Sequence, residues 1–141
     1  MPKVRELLSD LSLTNKEKEH ICYAIEHHDE YSFGGGSVTV TDIESLILQD
    51  ADNLDGCGAI GIARTFSFGS AKKIPYYLND IPLEQGTYSE SGNFDLSTIH
   101  HCVMRLYETM NTETGKQICK ERSSFIKTFV DQFVKEYNGE K

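Results

Sequence analysis

The sequence predicts an all-α fold in one domain spanning residues 1–141. Two observations carry this expectation. Helix-start signals stand at Thr14 and Thr41, and apolar residues recur at helical spacing after each of them and again near the C-terminus. A chain of 141 residues suits a single core and buries roughly 68–70% of its unfolded surface. Its composition, 38% hydrophobic and 26% charged with no Trp, excludes disordered and fibrous classes. Fourteen basic against 22 acidic residues give a net charge of −8, which argues against a general nucleic-acid or anionic-membrane binder. No apolar run approaches the roughly 20 residues of a membrane span, and Met1-Pro2-Lys3-Val4 opens no signal peptide. Cys22, Cys57, Cys102 and Cys119 are scattered rather than paired at zinc-site spacing, so reduced, buried thiols in a cytoplasmic protein are expected.

Each element follows from local chemistry. Val4 to Leu8 reads as a short helix. Thr14-Asn15-Lys16-Glu17 is a capping box, and the helix it opens carries Ile21, Ala24, Ile25 and His28 on one face. That helix should stop before Gly34-Gly35-Gly36. Thr41-Asp42-Ile43-Glu44 reads as a second capping box. It opens a helix whose apolar arc runs through Ile43, Leu46, Ile47, Ala51 and Leu54 to Ile62, and this helix is expected to be buried on most sides. Residues from about Phe66 to Asp95 lack sustained periodicity, and their length suggests a lid or binding loop. Two helices follow, from about Leu96 to Met110 and up to Asn138-Gly139, the last with a core stripe of Phe125/Ile126, Phe129, Phe133 and Tyr137.

Gly56-Cys57-Gly58-Ala59-Ile60-Gly61 fits the dinucleotide fingerprint in letters only. That motif works between a strand and a helix, and here Asp50, Asp52 and Asp55 precede it and would repel a pyrophosphate. The charge pattern says more. Five acids and no base lie between Asp42 and Asp55, and Arg64, Lys72 and Lys73 then follow without an intervening acid. Acids on a buried helix need a cation. A divalent metal at Asp52 with nearby imidazoles satisfies that need, with Arg64 and Lys72 or Lys73 on phosphate oxygens. A solvated helix face with surface lysines satisfies it too. His27 and His28 diverge by about 100° on a helix, so one of them points into any shared site. Imidazole with carboxylate suits Mn, Fe, Ni or Zn.

The run Glu19-His20-Ile21-Cys22-Tyr23-Ala24-Ile25-Glu26-His27-His28 resembles the helix after the His-Asp motif of HD-domain phosphohydrolases. Leu46 to Asp55, with Gln49-Asp50-Ala51-Asp52-Asn53-Leu54-Asp55 as its specific part, and Gly58 to Arg64 resemble the same superfamily. Met110-Asn111-Thr112-Glu113-Thr114-Gly115-Lys116 and the Phe-rich last helix resemble the C-terminal signature of a bacterial nucleotide-hydrolase-like subfamily.

The resemblance implies an HD-domain-like helical bundle lacking its N-terminal helices, because the first His and the His-Asp pair lie upstream of the matched region. It implies divalent-metal-dependent hydrolysis of a phosphate ester or anhydride in a nucleotide, impaired or incomplete in this chain, with Mn, Mg, Ni, Fe or Zn as the metal. By resemblance Asp52 is a metal ligand, Asp55 orients a ligand or water, and His27 or His28 contacts the leaving phosphate. Arg64, Lys72 and Lys73 would bind substrate. A non-catalytic helical module that binds a nucleotide or protein is the competing expectation. Under-covered apolar faces around Ile21, Ile25, Leu46 and Ile47 would favour self-association or a chain supplying the missing helices.

Overall fold

The computed structural model describes residues 1–29, 39–83, 97–103 and 110–140. Among these there is no strand, and the elements are α1 (Pro2–Ser9), α2 (Asn15–Glu26), α3 (Ile43–Asp55), α4 (Gly58–Lys72), α5 (Thr98–Val103) and α6 (Glu113–Tyr137). The fold is all-helical, as the sequence predicts. No described helix is long and apolar enough to cross a membrane. The triple glycine, residues 84–95 of the expected loop, and residues 96 and 104–109 of the helix expected from about Leu96 to Met110 lie outside the described residues.

Capping sets the helix starts. Thr14 caps α2 through a reciprocal box, its side chain accepting from the Glu17 amide while the Glu17 carboxylate takes the Thr14 N–H at 2.7 Å. The start of α3 departs from the expectation: Asp42, not Thr41, is the cap, and its carboxylate accepts from the Ser45 amide at 2.9 Å. The α3 helix also ends at Asp55, so Ile62 belongs to α4. Close backbone approach explains this break. A side chain at Gly61 would place its Cβ 2.1 Å from the Gly56 carbonyl oxygen, and Gly58 turns at φ +70° beneath the Arg122 side chain. Gly56, Gly58 and Gly61 therefore fold α4 back on the end of α3.

The main apolar core joins Ile62 on α4, Ile99 and Cys102 on α5, and Ile126 and Val130 on α6. Phe66 meets Phe129 edge-on at 6.0 Å and Phe133 at 5.9 Å, extending the core toward the α6 C-terminus. The α6 stripe is thus used as expected for Ile126, Phe129 and Phe133, whereas Phe125 and Tyr137 remain about half exposed. His100 is fully buried; its Nδ1 lies 2.6 Å from Ser97 Oγ and its Nε2 3.0 Å from the Ile81 carbonyl, which fastens the 75–83 segment to α5. The expected loop begins later than read, because α4 continues to Lys72.

The burial of α3 corrects a second expectation. Its inward face is polar, comprising Ser45, Gln49, Asp50 and Asn53, while Ile43 and Ile47 are 55% and 53% exposed. Apolar spacing alone identifies a helix but does not say which stripe faces the core.

Candidate functional site

The organising feature of the site is a polar network around α3. Gln49 and Asp50 follow each other on the buried side. Gln49 Nε2 donates to the His27 carbonyl at 2.9 Å, and its Oε1 accepts from Asn111 Nδ2 at 3.1 Å. Asp50 is 3% exposed. One of its oxygens accepts from the Asn111 amide at 2.7 Å and side chain at 3.1 Å; the other accepts from the Thr112 amide at 2.8 Å and hydroxyl at 2.6 Å. A buried carboxylate needs such donors, and here they come from the segment that starts α6. Thr112 in turn caps α6 by accepting from the Gly115 amide at 3.0 Å. Gly115 must lack a side chain, since a Cβ there would sit 2.4 Å from Asp50 Oδ2. The end of α2, the middle of α3 and the start of α6 are thereby held as one unit.

That unit sets where the expected site residues stand. Asp52 lies on the exposed side of α3, two residues beyond the buried Asp50. Asp55, at the end of α3, is exposed and accepts from Arg64 Nη1 at 2.9 Å across the α3–α4 break. His27 ends α2, with its ring 4.4 Å from that of Tyr23. His28 Nδ1 lies 2.7 Å from the Ile25 carbonyl. Arg64 and Lys72 share α4 but stand eight residues apart, about 12 Å along the axis. Lys72 lies over the Phe68 ring, and Lys73 closes α4 in the left-handed conformation. The acids around Asp52 are not buried together. Asp50 is satisfied by hydrogen bonds from Asn111 and Thr112, while Asp52 and Asp55 reach solvent.

A second grouping lies at the start of α3. His20 Nε2 is 2.8 Å from Asp42 Oδ1, and the ligand atoms of His20, Asp42 and Glu44 all lie within 4.8 Å of one another. Asp42 already serves as the α3 cap. Burial pushes its carboxyl up, but the bonds from His20 and the Ser45 amide outweigh that and hold it at about 2. A helix N-terminus carries a positive partial charge, which disfavours a cation and favours this carboxylate.

No family model matches the chain. It is 38% identical over 97 residues, 69% of its length, to the uncharacterized protein YpgQ of Bacillus subtilis (strain 168), of which it covers 42%. A crystal structure of an HD-superfamily hydrolase from Bacillus thuringiensis superposes with a TM-score of 0.70 at 31% identity, covering 97% of this chain and 62% of that one. The crystal structure of Bacillus subtilis YpgQ in complex with ADP superposes with a TM-score of 0.67 at 27% identity, covering 96% of this chain and 62% of that one. In fold the chain resembles the HD superfamily. It spans less than two thirds of the length of these relatives.

HD-superfamily hydrolases are generally divalent-metal dependent, so the fit of a metal to these residues is a direct question. Among the described residues, the group of three or more candidate ligand atoms is His20, Asp42 and Glu44, and it excludes Asp52. The described residues around Asp52 therefore do not make a metal centre by themselves. The residues that sequence reasoning missed are Gln49, Asp50, Asn111 and Thr112. Their signal was present in Ser45, Gln49 and Asn53, a polar stripe at spacing of four, and in Thr112 preceding Glu113 as a cap.

Proposed function

We propose that this chain forms part of a nucleotide phosphohydrolase domain of the HD type, and that it binds the phosphates of a nucleoside di- or triphosphate beside the outer face of α3. The observation that carries this reading is the structural match, over nearly the whole chain, to an HD-superfamily hydrolase and to YpgQ, which has been crystallised with ADP. Three features of the chain support it. The Gln49–Asp50 network fixes α3 and leaves Asp52 on the solvent side. Arg64 is held beside Asp55 by an exposed ion pair, which an incoming phosphate can displace at little cost. His27 and His28 lie at the end of α2, which the Gln49 bond ties to α3.

In this reading Asp52 is a metal-facing carboxylate whose remaining ligands come from outside the described cluster, and Asp55 is its neighbour in the second layer. A bound divalent ion would polarise a phosphoryl oxygen and lower the pKa of a water. The chain's own part is to place Asp52 rigidly and to offer Arg64, with Lys72 and Lys73 further along α4, to the phosphate charge. One carboxylate with one imidazole leaves most of a metal's coordination to water, so the 141-residue chain should bind Mn²⁺ weakly and hydrolyse nucleotides near background. Its four free thiols suit the cytoplasm.

Calorimetric titration of ADP into the chain with Mn²⁺ tests the reading. Saturable binding that weakens in Arg64→Ala and loses its Mn²⁺ dependence in Asp52→Ala is expected. Absence of binding, or binding indifferent to both changes, would overturn it. A non-catalytic protein-binding module is favoured by one observation, the aliphatic ridge of Ile43 and Ile47 exposed on α3.

A further inference from the structure

Two of the four cysteines meet in the interior. Cys57 is 1% exposed and Cys119 is fully buried, and their sulfurs are 2.9 Å apart although 62 residues separate them in sequence. That separation is less than about 1 Å beyond the length of a disulfide bond. Cys57 is the residue before α4, at the glycine-flanked break after α3, and Cys119 lies in the first turns of α6. Leu54 and Met110 pack around them and no competing thiol is near: Cys22 lies in α2, and Cys102 lies in the separate main core.

The pair is chemically unequal. The two sulfurs share one hydrogen bond, which lowers the Cys119 pKa, opposed by burial and assisted by Ser123 Oγ at 3.8 Å; the same bond and burial raise Cys57. Burial, opposed by a hydrogen bond to Thr65, pushes Cys102 up to about 11. The thiolate is the nucleophile in thiol chemistry, so we assign Cys119, which also has Ser123 Oγ beside its sulfur, as the attacking sulfur and Cys57 as the resolving one.

We propose that Cys57 and Cys119 are a reversible oxidation site, forming a disulfide with a peroxide oxidant and so fastening the α3–α4 break to α6. The Cys119 thiolate attacks one oxygen of hydrogen peroxide, forming an S–O bond as the O–O bond breaks and hydroxide leaves. The Cys57 sulfur then attacks the Cys119 sulfenic sulfur, the S–O bond breaks, and the departing hydroxide takes the Cys57 proton as water. Two thiols are oxidised by two electrons in total, one peroxide is reduced, and two waters result. Gly56 and Gly58 flank Cys57, and peroxide needs only a local opening there to enter. The device is independent of the nucleotide reading, since none of its steps involves Asp52 or a phosphate.

The test uses the whole chain, first reduced and then exposed to hydrogen peroxide, with free thiols afterwards alkylated under denaturing conditions. Before alkylation intact mass should fall by two hydrogens, and afterwards peptide mapping should recover Cys57 linked to Cys119 with Cys22 and Cys102 alkylated. Dithiothreitol should reverse the change. The melting temperature of the oxidised chain should exceed that of the reduced chain by roughly 10 °C. Cys57→Ser, checked for native helicity, should stall Cys119 at the sulfenic acid, trapped by dimedone, and Cys119→Ser should leave Cys57 a thiol. Retention of all four thiols, a link between any other pair, or sulfinic acid in place of the link would overturn the proposal.

Discussion

Replacing Asp50 by alanine removes the acceptor for four donors from Asn111 and Thr112. The side-chain donors of those residues can turn to water more readily than the two backbone amides, which the start of α6 holds in place. A buried donor stripped of a charged partner costs about 1.5–2 kcal/mol, so the two amides alone put Asp50→Ala at about 3–4 kcal/mol. For a chain of this size that is a fall in Tm of about 10 °C. Asn111→Ala removes only side-chain bonds and keeps both amides on Asp50, so it should cost about 1 kcal/mol. Urea unfolding followed by helical circular dichroism measures both. An Asp50→Ala variant within about 1 kcal/mol of wild type, or an Asn111→Ala variant equally damaged, would refute the claim that this carboxylate holds α3 to α6.

Other consequences are as direct. Gly61→Ala drives a Cβ against the Gly56 carbonyl at 2.1 Å and should cost about 3 kcal/mol by the same unfolding measurement. The Asp42 carboxyl is held at about 2 against an ordinary 3.8, so its contribution is present above the unfolded value and lost as pH falls through about 2; acid titration of stability should be flatter over that window in Asp42→Asn. Exposed Ile43 and Ile47 should promote concentration-dependent association in sedimentation, and Ile47→Glu should abolish it; a compact monomer at all concentrations would count against this.

Helix type and most starts were legible in the sequence because caps and periodicity are local. Thr14 with Glu17 is a complete signal, and the Ile126–Phe129–Phe133 stripe reads directly as core. What the sequence hid depended on distant partners. Thr41 and Asp42 both qualify as caps, and His20 on α2 bonds to Asp42. The acids at Asp50, Asp52 and Asp55 look alike in sequence, yet one is buried by Asn111 and Thr112 while the other two reach solvent. Likewise Gly56-Cys57-Gly58-Ala59-Ile60-Gly61 spells a nucleotide motif but serves a helix–helix fold-back. The Cys57–Cys119 contact, 62 residues apart, left no trace in cysteine spacing.

The most direct measurement is phosphate release from ADP and ATP with Mn²⁺, made alongside the ADP titration on the same preparation. The account predicts saturable ADP binding by this chain, sensitive to Asp52→Ala, with release near background. Release should rise when a polypeptide carrying a His and a His-Asp pair completes the ligand set, and Asp52→Ala should abolish the rise. Robust turnover by the chain alone, unchanged in Asp52→Ala, would contradict the placement of the chemistry on α3.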